Sequence, residues 1–142
     1  MTMKYKASIS SNEKEASYIR KKLIEFNAET VPNDDYERIS IVLKDETGNI
    51  AGGLLAAVEW QCLQVDVLWV DDSLRGKGQG KKLLALAEKI ASEKGCRLIK
   101  LDTFSFQALE FYQKQGYEIF GELKDFPKGH TQYYLCKRIE PA

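Results

Sequence analysis

Between Val65 and Leu84 the chain reads VDVLWVDDSLRGKGQGKKLL, and this stretch holds the residues whose types and spacing could do chemistry. Gly76, Gly78 and Gly80 alternate with Lys77 and Gln79 just ahead of a helical pattern. Glycines leave backbone N–H groups uncovered, and a helix start adds unpaired donors and the positive end of its dipole, so this loop should bind an anion. Charge agrees: no acidic residue stands between Asp72 and Glu88, while Arg75, Lys77, Lys81 and Lys82 are all cationic. A phosphate or pyrophosphate is the expected ligand. Spacing narrows the choice. A nucleotide P-loop needs GxxxxGK[ST], and Lys81 stands where its second glycine belongs; GxGxxG fails at Lys81 and at Leu83.

What remains is Arg75-x-x-Gly78-x-Gly80 behind an apolar strand ending Leu68-Trp69-Val70. Further on, SFQALEFYQKQGYEIFG runs from Ser105 to Gly121. The first pattern resembles the [Q/R]xxGx[G/A] signature of the GNAT superfamily of N-acetyltransferases. The second resembles that family's NxxAxxFYxxxGF segment, with Ala108, Phe111, Tyr112, Gly116 and Tyr117 in register and Ser105 in place of the usual Asn. The resemblance covers roughly residues 63–139. It implies an enzyme that takes acetyl-CoA as co-substrate, without a metal, and acetylates a primary amine by direct attack in a ternary complex. It implies cofactor contacts from Leu68, Trp69, Val70, Arg75, Gly76, Lys77, Gly78, Gln79, Gly80, Lys81 and Ser105, with Leu68 and Val70 serving through their peptide groups. It also implies that Tyr112 assists the departing thiolate, and that the cofactor strand is bulged and splayed from its neighbour. A non-catalytic acyl-CoA sensor is the alternative reading; Tyr112 speaks against it, because binding alone needs no leaving-group donor.

Amine acetylation needs proton removal. An alkyl amine of pKa about 10.4 is neutral about once in 2,500 molecules at pH 7, a handicap of roughly 4–5 kcal/mol. Asp66, Glu59 and His130 are the candidate bases, Asp66 first by its place on the cofactor strand. The resemblance also implies that the turn of DFPKGHTQYYLCKR helps build the acceptor pocket, which makes His130 a candidate wall of it. Glu29, Asp34, Asp35 and Glu37 cluster ahead of the first long strand, and Asp34 and Asp35 are taken as acceptor-site residues at a negative entrance favouring a cationic amine. Cys62, Cys96 and Cys136 have no adjacent His and fall in neither motif, so a covalent acetyl-enzyme is not expected.

Composition bounds the rest. Lys plus Arg and Asp plus Glu both number 21, which gives no support for nucleic-acid or membrane partners. Three widely spaced cysteines and one histidine supply no disulfide framework and no zinc set. No apolar run approaches the ~20 residues of a membrane span and no signal-peptide core opens the chain. A cytoplasmic protein is expected, with a small-molecule or peptide amine as partner; the resemblance leaves a homodimer open.

The elements that must position these residues follow from periodicity. Residues 1–142 read as one domain. A short strand over Met3–Ser8 precedes a capping box at Ser10–Glu13 and a helix to about Asn27 whose Ala16, Ile19, Leu23 and Phe26 should pack. Strands are expected over 38–44, 50–59 and 63–70 as an antiparallel meander, with Gly52-Gly53 marking a bulge or close backbone approach. Strict alternation would put Val65, Val67 and Trp69 on one face and Asp66, Leu68 and Val70 on the other. A helix over 78–94, a strand over 97–103, a helix over 105–114 and strands near 117–122 and 131–138 complete an α+β fold: a mixed, mostly antiparallel sheet of about six to seven strands flanked by helices.

Overall fold

A helix closed at both ends by chain reversals lies between the third and fourth strands, and it dictates the topology. The computed structural model describes residues 3–142 as two units, one ending at Asn33 and the other spanning Asp34–Ala142. The first unit holds helix α1 (Glu13–Ala28). The second holds β1 (Glu37–Lys44), β2 (Ile50–Glu59), β3 (Cys62–Val70), a 3-10 turn (Asp72–Leu74), α2 (Gln79–Glu93), β4 (Leu98–Phe104), α3 (Leu109–Lys114), β5 (Glu118–Lys124) and β6 (Thr131–Arg138). The six strands lie in the order β1-β2-β3-β4-β6-β5. Short turns join β1 to β2, β2 to β3 and β5 to β6 as antiparallel pairs, and β6 also returns antiparallel to β4, whereas α2 carries the chain back so that β4 runs parallel to β3.

Leu83, Leu84, Ala87 and Ala91 form the buried stripe of α2, at the spacing of one helical face. They join Leu54, Val58, Leu63, Ile99 and Leu135 in one core, and those five strand residues are at most 1% exposed. Across the core, Tyr117 donates its hydroxyl hydrogen to Glu88 on α2 (2.8 Å), and Lys137 Nζ lies 3.1 Å from the same carboxylate.

The paired glycines mark close backbone approach, as expected. A Cβ at Gly52 would come within 2.8 Å of the Trp69 carbonyl oxygen, and one at Gly53 within 2.7 Å of that of Ile41. Irregular pairing lies beside them at Leu43/Lys44. A second irregularity matters more. Leu55 pairs with Val67 and Ala56 with Val65, so Asp66 is an inserted residue on β3. The phase of the strand therefore changes: Leu63 and Val65 are buried in the core, and three residues past Val65 it is Leu68, then Val70, that pack against it. Strict alternation fails here because the bulge adds one residue, and Val67 and Trp69 face outward.

Other expectations are corrected at the ends of elements. Residues 3–8 form no strand. The cap of α1 is Asn12, whose side chain accepts from Lys14 N, while the Ser10 hydroxyl donates to the Glu15 carboxylate, so Ser10–Glu13 is not a capping box. No residue of α1 is buried, and the packing expected of its apolar stripe is not seen within its unit. Helix α3 begins at Leu109; Ser105 to Ala108 form a turn instead, tied by Gln107 N to Phe104 O and by the Gln107 side chain accepting from Phe104 N.

Candidate active site

Strands β3 and β4 share three residue pairs, Cys62–Leu98, Leu63–Ile99 and Gln64–Lys100, and then part. The gap opens a cavity of about 830 Å³, a size suited to a small-molecule or cofactor ligand. Its walls are Val65 to Val70 of β3, Leu101 to Thr103 of β4, the glycine loop, and side chains from residues 106–115. The parting leaves β3 backbone groups beyond Gln64 without their β4 partners, which is what a ligand rich in amides can use.

At the end of the cavity stands the start of α2. Gly78 is its N-cap, at φ 78° and with no side-chain cap, and the first turn carries no acidic residue. The Lys82 N–H reaches the Gly78 carbonyl (3.1 Å), so the N–H groups of Gln79, Gly80 and Lys81 precede the helical ladder and need outside acceptors. Nothing lies within 4 Å of where a Cβ would sit on Gly76 or Gly78, while one on Gly80 would make ordinary contact with Phe111 at 3.5 Å. A bare, positive, concave backbone surface of this kind fits the pyrophosphate end of a coenzyme A ester.

Most of the residues predicted for the cofactor line this cavity: Leu68, Trp69, Val70, Arg75, Gly76, Gly78, Gln79, Gly80 and Lys81. Arg75 is already engaged, pairing with Asp72 at 3.0 Å and pointing Nε at the Val70 carbonyl (3.4 Å). Lys77 and Ser105 are not among the lining residues. Ser105 is occupied in holding the β5–β6 turn, its hydroxyl accepting from Thr131 N (3.0 Å) and its own N–H donating to Thr131 O (2.8 Å).

Tyr112 enters the cavity from α3. It is 7% exposed, with edge-on ring contacts to Phe111 (5.2 Å) and Tyr117 (6.0 Å). Burial first, and then the charge of Asp102, push its phenol up to about 12, so it stays protonated and able to donate. Of the three candidate bases only Asp66 lines the cavity, exposed at the bulge. Glu59 sits at the hairpin end of β2, paired with Cys62. His130 stands edge-on to Phe106 at 4.8 Å, and Phe106 is a wall residue.

The structure does not bring Asp34 and Asp35 to the cavity. Both border a separate small hollow with Tyr36, Glu37, Val58 and Lys94. Asp35 accepts from Trp60 N (3.0 Å) and Gln61 N (2.7 Å), two residues that turn from β2 into β3 with positive φ. This turn and the glycine loop lie at opposite ends of β3, roughly 30 Å apart at about 3.3 Å per residue. The acidic entrance expected from these residues is therefore misplaced.

None of the three cysteines lines the cavity. Burial pushes the Cys96 thiol up to about 11 and raises that of Cys62 as well, the opposite of an activated nucleophile. Residues that sequence reasoning missed are Asp102, Thr103, Phe106, Gln107 and Gln115, all on the cavity wall. The one available signal was Asp102, a carboxylate on the exposed face of the alternating strand LIKLDTF.

Comparison with known proteins agrees with this geometry. The sequence profile described as the Acetyltransferase (GNAT) family matches residues 7–117. A blasticidin-S acetyltransferase of Streptomyces morookaense is 45% identical over 95 residues, covering 66% of this chain and 70% of that protein. The crystal structure of an acetyltransferase from Bacillus cereus superposes with a TM-score of 0.88 at 44% identity, over 94% of this chain and 98% of that one. An aminoglycoside 6′-N-acetyltransferase complexed with coenzyme A gives 0.64 at 21% identity, over 94% and 97%, a likeness of fold alone.

Proposed function

The chain belongs to the GNAT family of acetyltransferases, and from that premise we propose that it transfers the acetyl group of acetyl-CoA to a primary amine of a small molecule by direct attack. The observation that carries this reading is the meeting, in one cavity, of the parted strands, the bare helix start and the Tyr112 phenol. Acetyl-CoA supplies an activated thioester, whose C–S bond breaks as the new C–N bond forms. The chain's part is to hold, orient and move protons.

The N–H groups at the start of α2 and the backbone of β3 beyond Gln64 hold the coenzyme, leaving the reacting end between β3 and β4. Asp66, on the bulge, takes the proton of the attacking amine directly or through water. Tyr112 gives the leaving sulfur a hydrogen bond. A phenol near 12 opposite a thiol of ordinary pKa about 8.5 makes full proton transfer uphill by roughly 5 kcal/mol, so donation without transfer is the role its environment favours. None of the three thiols lines the cavity, which favours attack within a ternary complex over an acetyl-enzyme.

A relative is named for an antibiotic acceptor, which supports a small polar amine here. The test is thiol release from acetyl-CoA over a panel of amines, run alongside Asp66→Asn. Amine-dependent release is expected, with the variant's deficit largest at low pH, where the amine is least often neutral. Coenzyme binding without release for any amine would leave the sensor reading standing instead.

A further inference from the structure

Asp102 lies on the β4 wall, two residues past Lys100, as Asp66 lies on the β3 wall two residues past Gln64. Gln64 and Lys100 are the last shared pair, so the two carboxylates lie just past the parting, one on each strand and both on the cavity wall. Both are exposed, and Asp102 lies on the side of the sheet away from α2, since its neighbours along β4, Leu101 and Thr103, are the buried ones. The coenzyme features, the helix start and Tyr112, come from elements packed on the α2 side of the sheet. The two faces of the gap thus carry opposite chemistry, the positive N–H donors of the helix start on one and the Asp102 carboxylate on the other.

Asp102 is also held in place. Its Oδ2 accepts from Gln132 Nε2 (2.9 Å), and Gln132 Oε1 in turn accepts from the Tyr134 hydroxyl (2.8 Å), both residues being on the adjoining strand β6. That is its one hydrogen bond among the described residues, so Oδ1 keeps its full acceptor capacity. A carboxylate fixed by one oxygen and open at the other is suited to binding a cation by charge-assisted hydrogen bonds. Lys100, the nearest cation along β4, is not a lining residue. The charge of Asp102 does reach Tyr112, placing it near the reacting end of the cavity.

We infer that Asp102, oriented by the Gln132–Tyr134 chain, is the residue that anchors the positively charged acceptor in the gap, opposite the base Asp66. This rests on the proposed acetylation of an amine and adds to it the acceptor's class: a cationic, polyamine-like molecule whose charge is held between two strands. It replaces Asp34 and Asp35 as the source of selectivity for charge.

The test compares steady-state kinetics on 1,4-diaminobutane and spermidine for the native protein, Asp102→Asn and Gln132→Leu, with acetyl-CoA binding measured by calorimetry. Asp102→Asn keeps the shape and the contact to Gln132, and it should raise KM for both amines at least tenfold with acetyl-CoA affinity unchanged within twofold. Gln132→Leu leaves the charge but frees its orientation, and should raise KM by about threefold to tenfold. Unchanged KM in Asp102→Asn, with the native protein active on these amines, overturns the anchor and leaves amine acetylation intact. If the native protein releases no thiol with either amine but does so with neutral or acidic amines, the anchor fails and acetyl transfer survives. If coenzyme binds and no amine promotes release, both readings fail together.

Discussion

Gln64 on β3 and Lys100 on β4 form the last pair that the two parallel strands share. Everything argued to do chemistry lies past that pair, in Asp66, Asp102, Tyr112 and the glycine loop, and the half-buried Cys62 and buried Cys96 lie before it. The open half of the seam is the proposed site because its backbone is unspent; the closed half is structure.

The first prediction concerns the helix start. Gly80→Asp puts a carboxylate among the N–H groups that precede the ladder of α2, and a Cβ there meets Phe111 only at ordinary contact distance. A negative charge in a first turn favours the helix itself. The variant should therefore keep or slightly raise its Tm while losing at least tenfold in acetyl-CoA affinity by calorimetry. Native affinity would remove the helix start from the coenzyme site.

Tyr112→Phe keeps the ring packed on Phe111 and Tyr117 but removes the donor. Acetyl-CoA binding should persist while kcat falls by a factor on the order of 10². Because the phenol is held up to about 12, the native rate should show no loss from its ionisation up to about pH 11. A falling limb near pH 10 that vanishes in Tyr112→Phe would contradict the environment described for this residue.

Asp35 should matter to stability and not to the acceptor. Trp60 and Gln61 both turn at positive φ, a conformation that costs a non-glycine residue about 1–2 kcal/mol, and Asp35 offsets this by accepting from both N–H groups. Asp35→Ala should lower Tm by roughly 3–8 °C and leave KM for amines unchanged. A raised KM with native Tm would return the acidic segment to the acceptor site.

Alkaline conditions should destabilise the fold through its buried phenols. Tyr112 is pushed up to about 12, and Tyr117 is raised as well by burial and by the charge of Glu88. Below about pH 10 both the folded and unfolded chains keep these protons, and stability is unaffected. Above it the unfolded chain releases protons that the folded chain retains, so stability falls by up to about 1.4 kcal/mol per pH unit for each phenol. Urea midpoints should be level from pH 8 to 9.5 and drop by pH 11, less steeply in Tyr112→Phe; a level profile through pH 11 would show that these phenols are not desolvated.

What the sequence disclosed was what depends on neighbours along the chain. The glycine loop, α2 with its Leu83–Ala87–Ala91 stripe, and Tyr112 on α3 are set by local chemistry, and the structure has each of them. Asp35 reads as one acid in a solvated run because its partners are 25 and 26 residues away. Asp102 was passed over because its meaning comes from where β4 leaves β3, which no periodicity reveals. Ser105 was assigned from a motif whose usual residue it is not, and its hydroxyl serves the Thr131 backbone instead.

The inserted Asp66 makes β3 a strand written in two frames. Removing it would leave a regular strand with the same faces, Val65, Leu68 and Val70 inward and Val67 and Trp69 outward, whereas keeping it without the bulge would drive Val67 and Trp69 into the core. The bulge acts on side-chain direction as a compensating shift acts on a reading frame, absorbing the added residue so that both halves stay in phase. Deletion of Asp66 should thus be tolerated by the fold, as judged by Tm, while it removes the carboxylate from the gap.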